Sequence, residues 1–477
     1  MSWNDRWTTA LISGILGKND SVNAREGYTV DRAVELMDML DARDRRARRQ
    51  QELLEQYRLP LVSFTMNIAG PVKNSPLIRR GFRLGRTLLM GQLERMNAPC
   101  VFQEEWDEAT GCQGFYVTDL PPKALKELTC ALEDGTDLGR LFDLDVLTPD
   151  GVKLDRPVPR SCLICGGPAR ECARSRAHSV PELQARTREL LQTALNRRDA
   201  ETAASLAVRA LLYEVCVTPK PGLVDRANNG SHRDMDIYSF LRSAAALWPY
   251  FSRCVQTGRD TAANPAPDTL AALRWPGKLA ESAMLAATGG VNTHKGAIFS
   301  LGLVCGALGR LDRGDWSRPE RILSEVSAMA AGTVDRELSG LAAGRARTAG
   351  QRFYLAYGVT GVRGQAEAGF PTVLDWGLPA LENGLAQGKS ADEAGAAALL
   401  ALLARTADTN MIARGGIDAQ RETAAELERL LREAPYPGRE TLERLDRSFT
   451  ERDLSPGGSA DLLALCWLLH FLKEEAD

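Results

Sequence analysis

From about residue 186 onward, apolar residues recur at helical spacing, and the breaks between the runs are polar and rich in glycine and proline. This periodicity constrains the chain more than any other feature. Leu, Ala and Val returning every three to four residues form one buried stripe on a helix but scatter over both faces of a strand. The runs cover 186–217, 237–255, 278–287, 296–311, 319–343, 391–405, 419–433 and 459–474. An all-α domain is expected. Its joints, at 219–222, 289–290, 358–364 and 456–458, are where binding loops belong.

Upstream the pattern is mixed. Residues 31–57 carry helical periodicity and heavy charge, and 61–69 (LVSFTMNIA), 113–118 and 141–147 read as strands. A short helix follows the break at Asn74-Ser75-Pro76 to about Met90, and another spans 121–133 behind Pro121-Pro122. This is an α+β pattern. At roughly 100–200 residues per domain, 477 residues make two or three domains. The expected divisions are an extension over 1–26, a domain over 27–183 and a domain over 184–477.

A net charge of −3 lacks the electrostatic footprint of a nucleic-acid binder. Arg43, Arg45, Arg46, Arg48 and Arg49 lie beside acids in a helical pattern and read as a solvated helix face. No run of about 20 apolar residues predicts a membrane span. The apolar run at 10–16 lacks the basic leader of a secretory signal, so the 10 cysteines are expected to be reduced thiols in a cytoplasmic protein.

The sharpest local signal is GRLFDLDV (139–146). Asp143 and Asp145 stand two apart in an expected strand, so both carboxylates face one side. Like charges so placed repel, and Mg²⁺ shared with a substrate's phosphates is the usual way to keep both ionised. An exposed strand with two acids on its wet face fits the same pattern. Cys162, Cys165, Cys172 and His178 offer three thiols and an imidazole to Zn²⁺, or are simply small side chains without a metal.

The runs LVSFTMNIAGPVKNS (61–75), GRLFDLDVL (139–147) and RSCLICGGPARECARSRAHSV (160–180) resemble citrate lyase holo-acyl-carrier-protein synthase over about 27–183. The resemblance implies a transferase: a serine of the citrate lyase acyl carrier protein (the gamma subunit) attacks the ribose-bound phosphate of triphosphoribosyl-dephospho-CoA, and pyrophosphate leaves. It implies metal at Asp143 and Asp145, with Lys73 and Arg140 on the triphosphate. The fold class expected is therefore an N-terminal α+β nucleotidyltransferase-like domain followed by an all-α helical domain.

In the second half the polar joints supply groups suited to a phosphorylated ligand. Lys220, Lys295 and Arg363 bring positive charge, Gly289, Gly290 and Gly296 expose backbone amides, and Asp225, Asp234 and Asp236 could share Mg²⁺. GGVNTHKG (289–296) is not the standard P-loop and, taken alone, reads first as a helix–helix turn. Together, TPKPGLVDRANNGSHRDMD, MLAATGGVNTHKGAIFSLGL, YGVTGVRGQAEAGFP and SPGGSADLLA resemble triphosphoribosyl-dephospho-CoA synthase over about 200–470. Gln365 and Ala413 depart from that family, where glutamate and histidine are expected. The implied reaction joins ATP to 3′-dephospho-CoA with loss of adenine. It gives Asp234 and Asp236 to Mg²⁺, Lys220, Lys295 and Arg363 to phosphates, His232 or Asp225 to the base, and Asn292 and His294 to ribose or adenine. The equivalent system of malonate decarboxylase, a carrier-docking module without catalysis, and a helical ATPase are the competing readings.

Overall fold

The computed structural model describes residues 32–338, 346 and 348–475. The extension expected at 1–26 lies outside the described residues. The chain divides into two compact units, Met1–Asn196 and Arg197–Asp477.

The first unit holds α1 (Leu36–Tyr57), β1 (Leu61–Met66), α2 (Pro76–Arg95), β2 (Cys100–Glu108), β3 (Gly111–Thr118), α3 (Pro122–Gly135), β4 (Phe142–Leu147) and α4 (Ala169–Ser175). Helix α2 starts where Ser75 accepts the Ile78 amide at 3.2 Å, with proline in its first turn. The strands form one sheet in the order β2-β3-β1-β4, and every pairing is antiparallel. Side chains alternate across it. Val62, Phe64, Tyr116, Phe142, Leu144 and Val146 pack with Phe82 and Leu89 of α2 and Leu125 and Leu128 of α3. Leu61, Phe115, Val117 and Leu147 pack on the opposite face with Leu53 and Leu54 of α1. Gly85 lets α2 approach closely: a Cβ there would meet the Phe64 ring at 2.5 Å.

The expected fold class is corrected by this architecture. Among the described residues the chain is helical, with one small four-stranded sheet, and it does not follow the expected plan of an α+β nucleotidyltransferase-like domain ahead of an all-α one. The physical reason is that the likeness came from reaction chemistry, which does not fix a fold. Strand signals in β1, β3 and β4 also leave open how many strands join and in what order.

The second unit begins within α5 (Val180–Cys216). It continues through α6 (Ile237–Asp260), α7 (Ala266–Ala287), α8 (Lys295–Arg310), α9 (Pro319–Ala330), α10 (Thr333–Glu337), α11 (Ala349–Tyr357), α12 (Gly361–Glu367), α13 (Leu378–Ala386), α14 (Ala391–Leu403), α15 (Thr409–Glu433), α16 (Arg439–Glu451) and α17 (Gly457–Glu474). Helices α8 and α17 are apolar nearly all round and lie in the core. Among the described residues no helix is long and apolar enough to cross a membrane.

Candidate functional site

In the first unit the chemistry-bearing side chains lie on the α1 side of the sheet. Along β4, Phe142, Leu144 and Val146 are buried while Asp143 and Asp145 keep part of their surface. Strand alternation therefore puts both carboxylates on one face, opposite Thr65 and Ser63 of β1. Gln50 of α1 donates to Ser63 Oγ at 2.8 Å. Burial pushes the neighbouring Arg46 guanidinium down in pKa, while Asp143 and Asp145 pull it up. Asp143 meets Arg160 at 3.2 Å, and Asp145 meets Lys153 at 2.5 Å.

Behind this face Glu133, 1% exposed, accepts the Leu144 amide at 2.7 Å and pairs with Arg156 and Arg160; burial raises its pKa. Lys73 donates to the Ile68 carbonyl at 2.6 Å and Arg140 to the Ser161 carbonyl. A carbonyl holds a cation without neutralising it, so both keep charge for an anion. Burial, then Arg43, lowers Lys73; burial, then Arg160, lowers Arg140. Arg46, read from sequence as solvated surface, is the residue most clearly missed. Spacing could have found it, because Arg46, Arg49, Gln50 and Leu53 share one stripe of α1. The thiols of Cys162, Cys165 and Cys172 and a ring nitrogen of His178 lie within 4.8 Å of one another.

In the second unit a cavity of about 710 Å³ gathers the polar joints. The starts of α8 and α17 both border it, through Asn292 to Gly296 and through Gly457 and Gly458. Helix N-termini concentrate unpaired amides and favour anions. A Cβ at Gly296 would stand 1.9 Å from Asp461 Oδ2, so any larger residue there would displace that carboxylate.

Lys220 is 1% exposed and donates to Glu214, to its carboxylate at 2.5 Å and its carbonyl at 2.8 Å. Burial raises Glu214 against the pull of Lys220. Asp461 also lines the cavity and is pushed well up by burial, then by Glu214 and Asp408. Asp408 caps α15 and accepts the Ser459 amide at 2.7 Å, tying two helix starts together.

His294 lies 2.7 Å through Nδ1 from Ser243 Oγ, while Nε2 is buried without a partner. Burial and Lys220 push its pKa down to about 3, so the ring is neutral. His232 lies 2.8 Å through Nε2 from Ser455 Oγ and 3.5 Å through Nδ1 from Arg414. A guanidinium only donates, so Nδ1 accepts and Nε2–H faces the serine. Burial and Arg414 lower its pKa.

The structure thus brings Lys220, His232, Asp234, Asn292, His294 and Lys295 to one cavity. Asp234 lies 4.0 Å from His232, and Lys295 pairs with Glu281 at 2.9 Å. It does not bring Asp225, Asp236 or Arg363 to that lining. Asp225 accepts the Lys220, Ala227 and Asn228 amides and shapes the loop. Asp236 caps α6 through Ser239 at 2.8 Å, and Arg363 pairs with Glu337 at 2.5 Å. Gly289 and Gly290 end α7 with positive φ and lie outside the cavity wall. Sequence reasoning missed Glu214, Asp408 and Asp461, although Asp461 falls inside the quoted SPGGSADLLA run.

Residues 34–194 match the family model of apo-citrate lyase phosphoribosyl-dephospho-CoA transferase, and residues 200–477 that of ATP:dephospho-CoA triphosphoribosyl transferase. The class so defined is a bifunctional transferase. The protein CitXG of Haemophilus influenzae is 37% identical over 91% of this chain and 95% of its own length, and CitXG of Leuconostoc mesenteroides subsp. cremoris is 32% identical over 90% and 95%. A 2-(5''-triphosphoribosyl)-3'-dephosphocoenzyme-A synthase of Pectobacterium atrosepticum is 45% identical over 56% of this chain and 87% of its own. The chain belongs to the CitXG family, in which the two transferases are fused. Its work lies in biosynthesis of the citrate lyase prosthetic group, and ATP and dephospho-CoA fit as substrates of the second transferase.

Proposed function

We propose that the second unit makes 2'-(5''-triphosphoribosyl)-3'-dephospho-CoA and that the first transfers phosphoribosyl-dephospho-CoA to a serine of the citrate lyase acyl carrier protein. The observation that carries this reading is the cavity where two helix N-termini meet the Lys220–Glu214 pair and the unpartnered Nε2 of His294.

In the second unit the 2′-hydroxyl of 3′-dephospho-CoA attacks C1 of the ATP ribose, the C1–N9 bond breaks, and adenine leaves with a proton. The starts of α8 and α17, with Lys295, hold the triphosphate. His294, neutral, offers Nε2 to the ribose or the base. Asp461 lines the same cavity beside the start of α8 and is placed to take the 2′-hydroxyl proton. The transition state is oxocarbenium-like, and the buried carboxylates face its positive charge. Asp234, which lines the cavity, would hold magnesium on the triphosphate, while Asp225 and Asp236 serve the loop and the helix start.

In the first unit the carrier serine attacks the phosphate on the ribose, and pyrophosphate leaves on the far side. Asp143 and Asp145, side by side among Arg46, Lys153 and Arg160, suit magnesium carried by the triphosphate; Lys73 and Arg140 suit its anionic oxygens. Zinc suits the cysteine cluster. A cytoplasmic setting fits the chain's unpaired cysteines.

Incubation with ATP, Mg²⁺, dephospho-CoA and the carrier subunit tests this. Free adenine, pyrophosphate and a carrier heavier by phosphoribosyl-dephospho-CoA are expected. ADP with phosphate, or modification of a malonate decarboxylase carrier alone, would overturn it.

A further inference from the structure

The segment after β4 turns back on itself twice. The Cys162 amide donates to the Gly167 carbonyl at 2.5 Å and the Gly166 amide to the Cys162 carbonyl at 3.2 Å, with Gly166 at φ 74°. This tight turn carries Cys162 and Cys165, and aims the Ile164 amide at Cys162 Sγ from 3.4 Å. Helix α4 follows and carries Cys172; it ends at Arg176 in the left-handed region, which brings His178 back over the turn. Cys165 and Cys172 approach to 3.5 Å between sulfurs, and His178 Nε2 is buried without a partner.

The geometry points to a structural zinc site made by Cys162, Cys165, Cys172 and His178, which holds the phosphate-facing arginines of the first unit in place. A tetrahedral ion with Zn–S near 2.3 Å and Zn–N near 2.0 Å sets its ligand atoms roughly 3.5–3.8 Å apart. The four ligand atoms already lie within 4.8 Å, so a small contraction closes the shell. Three thiolates and an imidazole are a closed structural set, with no open position for substrate.

What the ion organises follows from the chain on either side of Cys162. Arg160, two residues before it, pairs with Glu133 and with Asp143. The Ser161 carbonyl, one residue before it, receives Arg140. The Arg160 carbonyl in turn receives the Ala169 amide at 3.0 Å, at the start of α4. Fixing the turn therefore fixes the Arg160 guanidinium against Asp143 and the carbonyl that holds Arg140, while the zinc itself stays outside the reaction. This role rests on the transfer reading for the first unit; the metal site does not.

The experiment uses the full chain, purified with reduced thiols. Metal analysis should find zinc at one ion per chain, and Cys172→Ser should lose it. Cobalt is also exchanged into the unaltered protein, so that the result does not depend on how the variant folds. Intense tetrahedral d–d bands and thiolate-to-cobalt charge transfer are expected. Stripping the zinc should slow carrier modification by about tenfold or more, leave adenine release unchanged, and be reversed by zinc. Absence of zinc and of the cobalt spectrum, or a Cys165–Cys172 disulfide in the reduced preparation, would overturn the site. Stoichiometric zinc whose removal leaves carrier modification unchanged would overturn the positioning role. Should zinc bind while no carrier is modified, the transfer reading fails and the metal site stands.

Discussion

The Lys220 ammonium sits 2.5 Å from the Glu214 carboxylate, with their side chains 1% and 5% exposed. A charge this deeply buried depends on its partner. Lys220→Met strands Glu214 and should cost about 3–5 kcal/mol of stability. Glu214→Gln keeps the shape and should cost less while still stopping adenine release. Thermal unfolding and an adenine assay on both variants check this; equal melting points for the two would contradict it.

His294 gives a stability effect with a defined sign. Its folded pKa is about 3, against 6.5 for the free side chain. Above pH 6.5 both states are neutral and its contribution is complete. As pH falls from 6.5 towards 3, the unfolded state takes up a proton that the folded state refuses, so stability is lost. The loss approaches about 1.4 kcal/mol per pH unit. His294→Gln should flatten the acid side of a melting-temperature profile, and an unchanged slope would count against the neutral buried ring.

Gly296→Ala drives a methyl into Asp461 Oδ2, where only 1.9 Å is available. Adenine release should fall by orders of magnitude, with little change in carrier modification when ready-made triphosphoribosyl-dephospho-CoA is supplied. The pair Gly296→Ala with Asp461→Ala should regain stability without activity. A recovered rate would remove Asp461 from proton transfer.

Arg46→Ala removes a half-buried cation that faces both Asp143 and Asp145. Carrier modification should drop on the order of 10²-fold, the scale of losing one aimed charge on a leaving group. Adenine release serves as the internal control, and Arg48→Ala, on the exposed side of α1, should behave like the unaltered protein.

Much of this was legible in the residues. Strand signals at 61–69, 113–118 and 141–147 coincide with β1, β3 and β4, and helical spacing reports the long helices of the second unit. Strand β2 was not seen, because Glu104, Glu105, Asp107 and Glu108 interrupt its apolar alternation. The fold class could not be read from the reaction, since chemistry does not dictate strand order. Glycine and proline in the joints mark where the cavity forms, but not which acid turns inward. Asp234 and Asp236 look alike in sequence, and only the Ser239 cap tells them apart. Arginines on α1 look like surface until the sheet beneath supplies carboxylates.

Alternation along β4 also acts as an alignment gauge. Phe142, Leu144 and Val146 plug the core only while Asp143 and Asp145 look the other way. Slipping that strand by one residue would push two anions into oil and turn Phe142, Leu144 and Val146 outward. A one-residue insertion anywhere in 142–147 should therefore be tolerated by neither folding nor chemistry, and the two demands police the same six positions.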